Sequence, residues 1–288
     1  MSRKHKTSMA HARACLAASL RAAAQGFPHG GDEGEAVVHD ARKELKRSAS
    51  LARLFTPIIG APAYGALDVV GAARRAIGRA RDLDVLPGAL ANIKCAAETR
   101  EALTRAIASE REKARDAHAG IDVKGLTADL TACAGDVDAW DLGGEAPELI
   151  TASLRHTYRS AKRRGRIAWA SGDADDLHDL RTKVVDLAHQ IALFERAWPA
   201  MIAAEGAELH RLRTTLGNHN DLTMLGEFAL SRRELTAEAA EALVALVLRR
   251  RKPLERRAFE QFSRIFAERP GAFERRFAGY LMHPQKKL

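Results

Sequence analysis

A row of basic side chains is the feature of this sequence best suited to chemistry. Its members stand at positions i, i+3, i+7 and i+14 of one stretch and are His39, Arg42, Lys46 and Arg53. On an α-helix, at about 100° and ~1.5 Å per residue, these positions share one face and span about 20 Å. Exposed helix faces usually mix acidic and basic residues, because the two signs stabilise each other. A face of one sign therefore predicts contact with a long, repetitive anion.

The element that must position this row is an amphipathic helix over 38–55. Its apolar residues fall on a separate stripe, formed by Val38, Ala41, Leu45, Ala52 and Phe55. Such a pattern predicts a helix that buries the stripe in a core and leaves the basic row accessible to a ligand. We expect Thr56-Pro57 to end it.

The same pattern recurs 139 residues later in the chain. The identical pairs are His39/His178, Asp40/Asp179, Arg42/Arg181, Ala49/Ala188, Leu54/Leu193 and Phe55/Phe194. A second block has the same offset and pairs Arg74, Gly78, Asp82, Leu83 and Leu86 with Arg213, Gly217, Asp221, Leu222 and Leu225. Two blocks in one register predict an internal duplication.

The composition indicates an all-α fold in two halves. Aromatic residues make up only 5% of the chain, Ala and Leu are abundant, and alternating β-branched segments are missing, which favours helix packing over a sheet. The region from Gly120 to Pro147 is rich in glycine and acids and is interpreted as a hinge. We expect a first bundle at 1–134, with a basic tail at 1–7, a linker at 135–147, and a second bundle at 148–288.

The charge of the chain points to a polyanionic partner. A formal net charge of +9 suits a nucleic acid, a membrane surface or a phosphate polymer. No apolar run approaches the ~20 residues of a membrane span, and the basic N-terminus lacks the apolar segment of a secretory signal. The three cysteines form no metal-binding spacing. We therefore expect a cytoplasmic protein without membrane association, metal or cofactor.

Further rows of a single sign support an anion-binding interpretation. On the opening helix of the second half the row is Arg155, Arg159, Lys162 and Arg166, and elsewhere the rows are Arg74 with Arg81, and Arg249 with Lys252 and Arg256. One such row also fits the solvated face of an Arg-rich protein. Several rows, three of them tied to repeated blocks, favour a bound anion that offsets their mutual repulsion.

These motifs resemble the CHAD family, the conserved histidine α-helical domain. The resemblance lies in His-Asp-x-Arg-(x)3-Lys-Arg ending in Leu-Phe, then Gly-x-x-Arg-Asp-Leu-Asp-Val-Leu, and a second copy of both, across residues 8–268. It implies two pseudo-symmetric four-helix bundles, a basic surface that binds long-chain inorganic polyphosphate, and association with polyphosphate granules. We expect a stand-alone, non-catalytic domain of this kind.

The resemblance also assigns binding residues. Those carried over by position are His39, Arg42, Lys46, Arg47, Arg53, His178 and Arg181. The basic rows and the repeat add Lys43, Arg74, Arg81, Arg155, Arg159, Lys162, Arg166, His189, Arg213, Arg249, Lys252 and Arg256. The second copy departs from the family pattern at Val185, Asp186 and Asn220. We therefore expect a polymer held more by the first copy and by the row that begins at Arg155.

Two other functions fit parts of the sequence. The same basic surface could bind nucleic acid as a weaker polyanion, although no aromatic platform for stacked bases is evident. The His-Asp pairs at 39–40 and 178–179 are also found in metal-dependent HD phosphohydrolases, but Arg and Lys surround each His and would repel a metal ion. Histidines beside a polyanion favour their charged form, so we expect affinity to rise as the pH falls from about 8 to 6.

Overall fold

The computed structural model describes residues 8–27, 34–77, 83–118, 122–143 and 147–283, with side chains apart from those of 34–39, 115–118 and 147. Within these ranges the chain forms helices and no β-strand, which confirms the all-α prediction. The helices are α1 (Met9–Gln25), α2 (Gly34–Ile59), α3 (Ala61–Ala76), α4 (Leu86–Ala91), α5 (Ala97–His118), α6 (Val123–Asp138), α7 (Pro147–Ser171), α8 (Ala174–Ile191), α9 (Pro199–Leu230), α10 (Ala237–Ile265) and α11 (Pro270–Met282). A 3₁₀ turn at Ala192–Phe194 follows α8. No helix of the described ranges has the length and apolarity that a membrane crossing requires.

Local sequence signals set several helix starts. The Ser8 hydroxyl accepts a hydrogen bond from the backbone N–H of His11, and the Thr236 hydroxyl does the same for Ala239. These side chains satisfy backbone donors that the first turn of a helix leaves without intrahelical partners.

A helix lies within the expected hinge between the halves. Val123–Asp138 is the helix α6, so the predicted linker at 135–147 begins inside it. Leu130 and Ala134 are fully buried in the main core. The acids and glycines suggested a linker, but the apolar residues recur at helical spacing and bury one face of α6.

One predicted helix end is also wrong, and two long helices contain residues that often interrupt a helix. The helix α9 runs without a break through Gly217, and Pro253 lies inside an uninterrupted α10. The helix α2 likewise continues past Pro57 to Ile59. Tertiary packing along these helices outweighs the local cost of an internal glycine or proline.

The main core joins two groups of four helices. One group consists of α1, α2, α3 and α6, and the other of α7, α8, α11 and the first half of α9. The two meet where α2 packs against α8 and α7, and their buried residues form one continuous cluster that the end of α10 also enters. The two repeat helices, α2 and α8, therefore face each other at the centre of the molecule.

A second hydrophobic cluster crosses the expected boundary between the halves. Leu86, Leu90 and Leu103, from α4 and α5, pack with Leu225 of α9 and Leu243 of α10. Elements assigned by sequence to the first bundle thus complete a cluster with helices of the second.

The helix α11 lies beyond the residues that carried the sequence resemblance, and it was not predicted. Phe273 of α11 stacks on Tyr158 of α7 with ring centroids 4.0 Å apart. Arg276 binds Glu205 of α9 and, at 3.0 Å, Glu268. These contacts attach α11 to the second group of helices.

Candidate anion-binding site

A cavity of about 360 Å³ opens between α2, α8 and α9, with Arg74 of α3 also in its lining. Of the predicted binding residues, those that line it are Arg42, Lys43, Lys46, Arg53, Arg74, Arg181, His189 and Arg213. Seven of these are Arg or Lys, against two lining carboxylates, Asp186 and Asp221. Because α2 and α8 pack against each other, cations of both sequence copies lie around this one cavity.

The position of the basic row follows from the apolar stripe of α2. Ala41, Leu45 and Ala52 are buried and hold that helix against the core. Because the basic residues lie on a neighbouring stripe, Arg42 and Lys46 reach the cavity wall, where both are partly buried. Partial burial strengthens their attraction for an anion, because water screens them less.

The cavity floor contains a contact between equivalent residues of the two copies. His189 Nδ1 lies 3.0 Å from Ser50 Oγ. Burial, followed by the positive charges of Arg213, Arg47 and Lys46, lowers the pKa of His189 to about 4. This imidazole is therefore neutral near pH 7 and acts as a hydrogen-bonding group.

The buried carboxylate of Asp186 is the main exception to the positive character of the cavity. It accepts hydrogen bonds from Arg53 Nη1 at 2.7 Å and from Ser50 Oγ at 2.9 Å. Lys183 Nζ lies 3.7 Å away on its other side. Only 2% of the Asp186 side chain is exposed, so these partners compensate the cost of burying its charge. Part of the Arg53 charge is thus neutralised within the protein.

Other predicted residues are not part of the described cavity lining. His178 is exposed and its Nδ1 lies 2.7 Å from Asn220 Oδ1, while Arg47 is exposed one position beyond Lys46. The side chain of His39 and the whole of Arg81 lie outside the described residues.

The predicted row on α7 is not part of the cavity lining. Arg155 Nη1 binds Glu274 of α11 at 2.9 Å, and Lys162 Nζ donates to the Glu268 carbonyl at 2.8 Å. Burial, and then Arg166, lowers the pKa of Lys162. Arg155 and Lys162 of this row therefore face α11 and the segment before it, and none of the four members lines the cavity.

The predicted row on α10 is also separate from this cavity. Arg249 lines a different cleft of about 370 Å³, together with Lys94 and Arg250. Lys252 and Arg256 are exposed on the same helix.

Sequence reasoning missed Lys183, which approaches the cavity through Asp186. No repeat signal could have found it, because the equivalent position of the first copy is Glu44. The His-Asp pair of the second copy has no metal-site geometry: Asp179 binds Arg164 at 3.1 Å. Among the described residues, no three His, Cys, Asp or Glu side chains converge in a way that could hold a metal ion.

Comparisons with known proteins agree with this architecture. The family model of the CHAD domain matches residues 10–230 of the chain. The crystal structure of the CHAD domain from the plant Ricinus communis is similar with a TM-score of 0.64 and 20% sequence identity, over 94% of this chain and 96% of that chain. At this identity the similarity concerns the fold. No curated protein matches the sequence.

Proposed function

Because this chain belongs to the CHAD domain family, we propose that it binds long-chain inorganic polyphosphate in the cavity between α2, α8 and α9. The observation that carries the proposal is the gathering of seven Arg and Lys side chains from four helices around one cavity. Like charges repel, and a linear polyanion is the ligand class that offsets this repulsion along the whole cavity.

The residue types suit phosphate groups. Arg presents a planar fork that can donate two hydrogen bonds to a pair of phosphate oxygens, while Lys supplies a mobile point charge. Hydrogen bonds to charged groups contribute about 1.5–3 kcal/mol each before the cost of ordering the polymer. Several such contacts give tight binding whose strength falls steeply with salt, because neutralised phosphates release their counterions.

We propose a binding module without catalysis of its own. Asp186 is held by Arg53 and Ser50, so its carboxylate is occupied by the protein and is poorly placed to take a metal ion. Binding of the polymer would direct the protein to polyphosphate granules in the cytoplasm, which is the localisation we propose.

Calorimetric titration with polyphosphate at two salt concentrations tests this function. The unaltered chain should bind, and Arg42→Gln should lower the affinity by about tenfold and reduce the salt dependence, since one phosphate contact is lost. Arg105→Gln removes a cation from α5 that is 74% exposed and should change neither quantity. Absence of binding by the unaltered chain, or equal behaviour of the two variants, contradicts the proposal.

Competition separates polyphosphate from nucleic acid. Excess polyphosphate should displace a labelled oligonucleotide, whereas nucleic acid should fail to displace polyphosphate. The opposite order would identify a nucleic-acid-binding protein. Release of phosphate that depends on an added divalent metal and is lost in His39→Ala would identify a phosphohydrolase.

A further inference from the structure

The cations of α7 occupy two sides of that helix with different surroundings. Arg155 and Lys162 contact Glu274 and Glu268 on the side of α11. Arg159 and Arg163 are exposed, and neither has a carboxylate partner among the residues that the structure describes. The second pair is therefore available to an external anion.

The second side of α7 repeats the spacing of the basic row on α2. His156, Arg159 and Arg163 stand at i, i+3 and i+7, as do His39, Arg42 and Lys46. On a helix they share one face over about 10 Å. The sequence prediction missed this row because it followed the neighbouring stripe that begins at Arg155.

A cation of α8 joins this face of α7. Burial lowers the pKa of His156, and the positive charges of Arg159, Lys183 and Arg163 lower it further. The four groups therefore share one electrostatic neighbourhood across the packed pair α7 and α8. We name His156, Arg159, Arg163 and Lys183 the α7 tract.

Lys183 connects the α7 tract with the cavity. Its Nζ lies 3.7 Å from Asp186 Oδ2, and Asp186 Oδ1 accepts a hydrogen bond from Arg53 at 2.7 Å. Asp186 and Arg53 both line the cavity. A chain of charged groups thus leads from the cavity wall over α8 onto the outer face of α7, and α2 also packs against α7.

We propose that the α7 tract is an extension of the polyphosphate site that holds the part of a long polymer lying outside the cavity. This inference rests on the proposed function. Arg159 and Arg163 are exposed to solvent, so each contributes little, and only a polymer already held in the cavity gains from the tract. The affinity gain therefore depends on the length of the polymer. Tripolyphosphate occupies only the cavity, whereas a long chain contacts both the cavity and the α7 tract.

The test compares two ligands and two double variants. Arg159→Gln/Arg163→Gln removes two exposed cations of the tract. Arg105→Gln/Arg233→Gln removes the same charge from exposed positions on α5 and in the turn after α9. Each protein is titrated with tripolyphosphate and with long-chain polyphosphate at one salt concentration. Thermal unfolding verifies that both variants are folded.

The tract variant should bind long-chain polyphosphate about tenfold more weakly and tripolyphosphate with unchanged affinity. The control variant should match the unaltered chain for both ligands, and Lys183→Gln should give a smaller loss confined to the long polymer. An unchanged affinity of the tract variant for the long chain overturns the inference, as does an equal loss for both ligands. In either case, an affinity that still falls about tenfold in Arg42→Gln leaves the proposed function standing, whereas an affinity unchanged by Arg42→Gln contradicts that function itself.

Discussion

His189 Nδ1 lies 3.0 Å from Ser50 Oγ, and the two residues occupy equivalent positions of the two sequence copies, 139 residues apart. A two-fold axis relating two copies brings together those equivalent residues that lie next to it. This contact agrees with the predicted internal duplication, which stays a prediction. Charges displayed by α2 and α8 near such an axis approach one another from both copies.

The neutral state of His189 predicts a pH dependence of stability. The pKa of His189 is lowered from 6.5 to about 4, so the unfolded chain binds a proton at a higher pH than the folded protein does. The free energy of unfolding should therefore fall as the pH drops from about 6.5 to about 4, by up to about 3 kcal/mol from this group. Urea unfolding across this range measures the effect. His189→Gln should remove that part of the slope, and an unchanged slope would contradict the assignment.

Asp186 should have opposite effects on stability and on binding. Asp186→Asn keeps an acceptor for Ser50 but removes the ion pair with Arg53, which is 29% exposed. We expect a loss of about 1–3 kcal/mol in unfolding free energy, less than for a fully buried pair. Polyphosphate affinity should increase several-fold, because a negative charge leaves the cavity lining and Arg53 becomes available to phosphate.

Urea unfolding and calorimetry measure both quantities for Asp186→Asn. Asp129→Asn, at an exposed position of α6, is the matched control for the change in net charge and should alter neither. A decrease in affinity would mean that Asp186 positions Arg53 for the ligand instead of competing with it.

Gly165 should be required for the packing of α7 against α10. A Cβ atom at this position would lie 2.1 Å from the ring of Phe262. Gly165→Ala should lower the unfolding free energy by about 1–3 kcal/mol despite the higher helix propensity of Ala. Gly135→Ala on α6, where a Cβ meets nothing within 4 Å, should raise it by roughly 0.5–1 kcal/mol.

Denaturant unfolding compares these two variants directly. The addition of Phe262→Leu to Gly165→Ala should recover part of the loss, because the smaller side chain relieves the clash. A double variant whose loss equals the sum of the two single losses would show that this contact is not the cause.

The basic rows on α2 and α7 should contribute unequally to binding. Arg42 lines the cavity, whereas Arg155 pairs with Glu274. Arg42→Gln should therefore reduce polyphosphate affinity by about tenfold, and Arg155→Gln by far less, with a stability cost of about 0–1 kcal/mol for the lost surface ion pair. Calorimetry and thermal unfolding of the two variants measure both effects. Equal losses of affinity would show that Arg155 also contributes to polyphosphate binding.

The sequence alone determined the helical class, the two copies of the His-Asp-x-Arg motif and the basic row of α2, because each depends on local periodicity. Apolar spacing around Leu45 orients the row whatever packs against it. The sequence analysis did not predict that Val123–Asp138 is a helix, because the acidic and glycine-rich composition of this region outweighed its short apolar stripe.

The tertiary structure decided which cations meet. Arg155 and Arg159 belong to one helical row in the sequence, yet Arg155 is taken by Glu274 of α11 while Arg159 remains open. Lys183 lies next to the cavity because it contacts Asp186. Asp186 in turn pairs with Arg53, which is 133 positions earlier in the chain. Periodicity specifies the face of a helix on which a charge lies, but the partner of that charge depends on which helices pack together, and long-range burial determines that packing.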